Sequence, residues 1–310
     1  MYFCSMSDRS KSWIMLIILA LIWGSSFILM KKAMYTESGE HIYTDTQVGA
    51  LRMVFAALTL LPFAIKGIRQ LNSFKKFALL SIVGLCGNFF PSFLFTYAET
   101  GISSGYTGML NSCTPIFAII LGAIIFRDKL TKRQYIGVGI GTTGVILLML
   151  AGQNLSMSGS WMHILAVVLA TLCYGISLNV IKHTLQGMKS FEIAALAFFI
   201  ILIPSIIIAW QQGSLETFQA SKQNQLAVIY IIILSVVGTA IALIIFNRMI
   251  ALSNVLFASS VTYLIPIVAV VIGLGFGEEI NIWQILSMLV VISGIFIANG
   301  SKSSRTPKKA

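Results

Sequence analysis

The stretch FTYAETGISSGYTGMLNSCTPIFAIILGAIIFRDKLTKRQYIGVGIGTTGVILL, Phe95–Leu148, has an echo later in the chain. It returns as FNRMIALSNVLFASSVTYLIPIVAVVIGLGFGEEINIWQILSMLVVISGIFIA, Phe246–Ala298. Pro115 falls on Pro266, a displacement of 151 residues (266 − 115), and the same displacement sets Ile116 on Ile267, Ala118 on Ala269 and Gly122 on Gly273. Working outward, Phe95 meets Phe246, Gly87 meets Gly238, Gly24 meets Gly175, Ser26 meets Ser177 and Lys31 meets Lys182. After a one-residue slip, Gln134 meets Gln284 and Gly144 meets Gly294. A series running through most of each half reads as an internal duplication.

Composition says where such a duplicated chain resides. Of 310 residues, 57 % are apolar and only 10 % charged, against about 25 % charge in a soluble domain; the mean hydropathy is +0.90. A membrane-crossing helix takes roughly 20 apolar residues, so ten would use about 200 of the chain. That leaves short loops and two tails, and no room for a globular catalytic domain.

Apolar stretches recur at Trp13–Met34, Thr46–Ile65, Phe77–Ala98, Ser103–Phe126 and Gln134–Ala151, then at Trp161–Ile181, Ser190–Trp210, Leu226–Met249, Val255–Phe276 and Trp283–Asn299. The first is too long for a secretory signal core and reads as a retained helix. The expectation is an all-α integral membrane protein of ten transmembrane helices, with repeats at residues 1–152 and 153–300 and a basic tail at 301–310. Five helices is an odd number, so the second repeat enters the membrane inverted.

Basic residues orient the chain. With the N-terminus cytoplasmic, the inner segments hold Arg9, Lys11, Lys66, Arg69, Lys75, Lys76, Arg127, Lys129, Lys132, Arg133, Lys182, Lys189 and Arg248. The tail adds Lys302, Arg305, Lys308 and Lys309, making 17 of the 21 Lys and Arg. The outer side keeps Lys31, Lys32 and Lys222, and Arg52 lies within a span. This asymmetry places both termini in the cytoplasm of a multi-pass inner-membrane protein, with the tail read as an anchor near anionic lipid rather than a nucleic-acid contact.

The two quoted stretches resemble the drug/metabolite transporter superfamily in its ten-helix EamA branch. They include the Gly277–Glu278 pair typical after the fourth helix of that module. The opening LIWGSSFILMKKA, Leu21–Ala33, is similar to the family's first helix, and Leu51–Arg52 to its second. Arg127–Asp128 departs from the family pattern, standing where Gly-Glu is usual. The resemblance covers nearly the whole chain and implies a ten-helix bundle that exports or exchanges small metabolites, often amino acids. Inverted repeats are also the build of many secondary transporters, with a site near the midplane.

Candidate pathway residues are the polar and aromatic groups within spans, since an unsatisfied polar group facing lipid is costly. Thr107, Asn111 and Pro115 share one face of the fourth helix; Ser259, Thr262, Tyr263 and Pro266 share one of the ninth. Each proline frees a carbonyl about four residues back. Trp23 and Ser26 on the first helix correspond to Tyr174 and Ser177 on the sixth. The aromatic pair suits stacking on substrate or packing in the core. Asn88 and Asn179 serve a cavity or join helices. Arg52 lies about six residues into its helix, roughly 9 Å from the start. An ionised group there is functional by default: it meets a substrate carboxylate, forms a gate with Glu99, or snorkels outward. Lys31 reads as a snorkelling residue.

No acidic residue lies deep within a span, so proton coupling finds no support and facilitated diffusion or exchange is favoured. No GxxxxGK[ST] occurs, His41, His163 and His183 are dispersed, and Cys4, Cys86, Cys113 and Cys173 read as small apolar fillers. No cofactor, metal or enzymatic activity is expected. The partners are a small-molecule substrate and membrane lipids, and a monomer suffices. The competing functions are exchange of phosphorylated or nucleotide-linked sugars and a non-transporting scaffold or sensor.

Overall fold

A computed structural model describes residues 7–36, 38–151, 160–253, 257–258 and 260–299. Ser259, Cys4, the boundary at 152–153 and the tail 301–310 lie outside the described residues. Apart from one bridge between Tyr35 and His41, the described residues are helices and turns. The first repeat holds α1 (Asp8–Met34), α2 (Asp45–Gly67), α3 (Phe74–Gly84, Leu85–Phe89 and Phe90–Ala98), α4 (Ser104–Asn111 and Thr114–Ile125) and α5 (Lys132–Ala151). The second holds α6 (Ser160–Thr184), α7 (Ser190–Gln211), α8 (Lys222–Ser235, Val236–Ile241 and Ala242–Leu252), α9 (Val261–Gly275) and α10 (Ile282–Asn299). Among the described residues, eight helices are long and apolar enough to cross a bilayer, and α9 and α10 are shorter apolar helices. Sequence reading did not foresee the short helix Ser214–Ala220 between α7 and α8.

Local chemistry sets where the helices start. Ser7, Ser73, Ser103 and Ser221 each accept a first-turn N–H of the helix that follows, and Thr44 with Gln47 makes a full capping box on α2. The α4 break sits before Pro115, which has no N–H for the carbonyl of Asn111. The Thr114 hydroxyl donates to that carbonyl instead, at 2.9 Å, so the expected freed carbonyl is satisfied locally. Phe257 and Ala258 are also helical, and α9 follows a turn at Ser260, whose hydroxyl donates to the Phe257 carbonyl at 2.6 Å.

The helices of one half pack against those of the other. Along the bundle α2 lies on α7 and α5 on α10, while α1 packs on α8 and α9 and α6 packs on α3 and α4. These pairings are equivalent under the duplication. The tightest backbone-to-backbone approach among the described residues is α5 on α10, where a Cβ on Gly294 would stand 2.4 Å from the Gly141 nitrogen and 2.7 Å from the Gly137 carbonyl. Small residues at such spacing let membrane helices touch backbone to backbone. The outward surface is apolar: Ile203 is 68 % exposed and Phe296 71 %, as a lipid-facing surface requires.

A methyl group added at Gly294 has only backbone to push against. Gly294→Ala should cost about 1–3 kcal/mol, read as a lower melting temperature in detergent. Gly139→Ala on α5 is the control, because nothing lies within 4 Å of where its Cβ would stand. An equal effect for the two would show that the α5–α10 contact does not depend on the missing side chain.

Candidate functional site

The centre of the bundle is organised by two π-helical segments, Leu85–Phe89 in α3 and Val236–Ile241 in α8. They occupy equivalent places in the repeats, and each wraps a glycine, Gly87 or Gly238. Such segments widen a helix by one residue and leave carbonyls off the regular ladder. The Trp23 indole N–H donates to the Gly238 carbonyl at 3.1 Å and its ring lies 5.5 Å from Phe246. Its counterpart Tyr174 lies 5.9 Å from Phe95, which in turn meets Phe27 at 5.8 Å. Trp23 and Tyr174 are both half-buried.

Arg52 enters this aromatic zone from α2. Its Nη1 reaches Met30 Sδ at 3.8 Å, Tyr174 lies within its electrostatic reach, and its Nε is buried with no hydrogen-bond partner among the described residues. The side chain therefore points into the bundle rather than snorkelling outward. No ion pair joins it to Glu99 among the described residues, so the gate considered for those two residues is not formed; Glu99 instead accepts from the Ser104 hydroxyl at 2.7 Å.

The other candidates divide by what their polar atoms touch. Ser26 donates to the Ile22 carbonyl at 2.9 Å and packs beside Gly238. Thr107 donates to the Ser103 carbonyl at 3.0 Å and is fully buried. Asn179 donates to the carbonyls of Ala118 and Gly175, both at 2.8 Å, joining α6 to α4. Asn88 is half-buried inside the α3 π segment, and Asn111 is half-buried at the α4 break. Thr262 is half-buried on α9, and Tyr263 packs with Ile116, Val145, Val291 and Ile295.

Two ion pairs that sequence reading missed stand at corresponding places in the repeats. Lys31, near the end of α1, holds Glu278 after α9 at 3.0 Å. Lys182, near the end of α6, holds Asp128 after α4 at 2.6 Å. Lys31 was read as a snorkelling residue; Glu278 occupies it because α9 packs on α1. The match of Lys31 with Lys182, and the carboxylates closing two equivalent helices, were the available signal. The pairs sit at opposite ends of the bundle. Near the start of α6, His163 touches Thr100 at 3.2 Å, on the Glu99 side, and Lys182 lies about 28 Å farther along α6 at 1.5 Å per residue.

Both carboxylates hang on the same backbone turn. Asp128 N–H donates to the Gly122 carbonyl at 3.1 Å and Glu278 N–H to the Gly273 carbonyl at 2.9 Å. The preceding residue is left-handed in each, Arg127 at φ 57° and Gly277 at φ 79°. Arg127 thus holds a conformation that favours glycine, and Arg127→Gly should stabilise the protein by about 1 kcal/mol. The readout is a higher melting temperature; an unchanged or lower one would refute the strain at this turn.

The surroundings of the two carboxylates differ. Burial alone would raise Glu278, but the N–H groups of Gly105 at 3.0 Å and Ser104 at 2.9 Å, with Lys31, hold it below the usual carboxylate range. This is anion binding at a helix N-terminus. Burial would likewise raise Asp128, and Lys182 with His183 (Nε2 to Oδ1, 3.0 Å) holds it low. A cavity of about 740 Å³ opens beside the first pair, lined by Lys31, Lys32, Glu99, Glu278 and Glu279 among others. A smaller one of about 320 Å³ opens beside the second, lined by Asp128, Gln134, Asn179 and Lys182 among others.

Comparison with known proteins gives this arrangement a class. The EamA-like transporter family matches the chain twice, over residues 11–150 and 161–300. The chain belongs to that family and is a membrane transporter with its family unit present twice. Among similar proteins, the "Uncharacterized inner membrane transporter YedA" of Escherichia coli K12 is 27 % identical over 85 % of this chain and 82 % of its own. The "Probable amino-acid metabolite efflux pump" of Salmonella typhimurium LT2 is 22 % identical over 93 % of this chain and 94 % of its own. A solved protein crystal structure matches the fold with a TM-score of 0.59 at 12 % identity, over 93 % of this chain and 96 % of its own. With its apolar helices, the chain is a multi-pass protein of the inner membrane.

Proposed function

We propose that the protein exports small carboxylate-bearing metabolites, amino acids foremost, by alternating access. In this reading α1 to α10 are ten spans, the repeats are inverted and both termini are cytoplasmic. The pair Lys31–Glu278 then latches the outer mouth and Lys182–Asp128 the inner one. The observation that carries the reading is Arg52, half-buried on α2, whose guanidinium Nε is buried with no hydrogen-bond partner among the described residues. A bare cation in that place is costly, and a substrate carboxylate satisfies it with paired hydrogen bonds. Trp23 and Tyr174 flank the solute, with Asn88, Asn111, Thr262 and Tyr263 as the polar contacts, while Ser26 and Thr107 spend their hydroxyls on carbonyls four residues back and Asn179 joins α6 to α4. The printed name of the Salmonella relative, an amino-acid metabolite efflux pump, points to the same solute class.

Counterflow in proteoliposomes tests this. Vesicles loaded with an amino acid should accumulate its labelled form from a tracer outside, at equal pH on both sides. Amines that lack a carboxylate, and sugars, should not exchange. Exchange confined to phosphorylated or nucleotide-linked sugars would replace this reading, and no exchange of any solute would return the scaffold to consideration.

A further inference from the structure

Glu99 sits against the outer latch, yet the two carboxylates there are treated differently. Glu278 accepts from Lys31, Ser104 N–H and Gly105 N–H. Glu99 is 1 % exposed. One oxygen accepts from the Ser104 hydroxyl, and the other, Oε1, is buried without a hydrogen-bond partner among the described residues. An ionised carboxylate has about four acceptor sites to satisfy, and with Lys31 bound to Glu278 this one is left short. A neutral carboxylic acid fits the space without that deficit.

The groups facing it from each element are few. They are Lys31 on α1, Glu278 before α10, and the hydroxyls of Ser104 and Thr107 on α4. From α6, the His163 ring packs on the turn beside it, 3.2 Å from the Thr100 hydroxyl and stacked 4.6 Å from Tyr97. Glu99 also lines the cavity beside the latch, so a short movement of the latch exposes the carboxyl to water.

We propose that Glu99 is a proton-binding site coupled to the outer latch, holding one proton while Lys31 and Glu278 are joined and releasing it to the outer cavity when they part. On parting, the freed Lys31 ammonium faces the Glu99 carboxylate, and the proton leaves to water. Sequence position alone put Glu99 at a helix end, where proton coupling found no support; the fold is what buries it. Burial pushes the carboxyl up to about 8 from its ordinary 4.5, and Ser104 and Lys31 only partly oppose this. The sign follows from linkage. The closed latch binds the proton more tightly, so acid holds it shut and alkali frees it. Across the window between 4.5 and about 8, the open-to-closed ratio rises up to about tenfold per pH unit. The proposal rests on the alternating-access reading for its meaning, but its test needs no transported solute.

The test is an infrared pH titration of the full-length protein in lipid bilayers, following the C=O stretch of protonated carboxylic acids. One acid should persist at neutral pH, titrate near pH 8 and vanish in Glu99→Gln. Glu278→Gln removes a like charge and parts the latch, so it should move the midpoint down; Lys31→Met parts the latch but removes a cation, so it should move it down by less; both keep Glu99 in place should the glutamine variant fail to fold. In parallel, spin labels at Ser38→Cys and Gly275→Cys, with native cysteines replaced, should separate as pH rises through that midpoint. No neutral acid at pH 7, a midpoint unmoved by both neighbours, or a label distance that follows sodium instead of pH would each overturn the proposal. A titration as expected beside failed counterflow would sink the transport reading alone.

Discussion

Arg52→Ala should cut exchange of an amino acid by about 30- to 4,000-fold while leaving a neutral analogue little changed. Truncating one partner of a buried, hydrogen-bonded charge pair costs about 2–5 kcal/mol, and about 1.4 kcal/mol is tenfold. The guanidinium is the group that sets this scale, because its Nε is buried with no hydrogen-bond partner among the described residues. Arg52→Lys should rescue only part of the loss, since an ammonium is a point charge and cannot present two parallel N–H donors to a carboxylate. The same reasoning predicts a stability gain. An unpaired buried charge is a standing cost in the empty protein, so Arg52→Met should melt higher than the parent while transporting less. The measurement is counterflow of paired acid and amide solutes, with melting temperatures alongside. Equal loss for acid and amide, in a variant that folds normally, would remove Arg52 from carboxylate recognition.

What could be read from the sequence follows from what each feature depends on. The duplication and the apolar runs are local patterns, so helical architecture was legible from Pro115 over Pro266 and from run length. The π segments were not. Leu85–Phe89 and Val236–Ile241 contain ordinary helix-compatible residues, and a one-residue widening leaves no mark in composition. Yet these segments decide where Trp23 finds its carbonyl. The turn before α9 falls on Ser260, a polar residue that a count of apolar length passes over. Arg52 was legible as exceptional because a charge in a span needs a reason wherever it points; its inward direction required the packing of α1 and α6. The ion pair of Lys31 spans 247 positions of sequence, beyond the reach of any local pattern. Glu99 shows the same limit: a residue one step beyond a helix is exposed or buried according to what packs over it.

Removing each latch lysine should tilt the protein in opposite directions, and by unequal amounts. Lys182 and Asp128 are well exposed, with side chains 63 % and 31 % accessible. Their pair is therefore worth about 0.2–1 kcal/mol, and Lys182→Met should open the inner mouth by no more than about fivefold. Lys31 faces a Glu278 side chain only 8 % accessible, where a charged hydrogen bond contributes about 1.5–3 kcal/mol. Lys31→Met should therefore open the outer mouth by about 10- to 150-fold. Spin-label distances read both, across the outer mouth from Ser38 to Gly275 and across the inner mouth from Lys129 to Gln186. Widening of the same mouth by both variants would break the assignment of one latch to each face. A charge exchange separates attraction from architecture. Lys31→Glu combined with Glu278→Lys restores opposite charges but leaves the N–H groups of Ser104 and Gly105 facing a cation instead of an acceptor. The exchanged outer pair should therefore stay open, because its carboxylate is required by the α4 N-terminus as much as by the lysine.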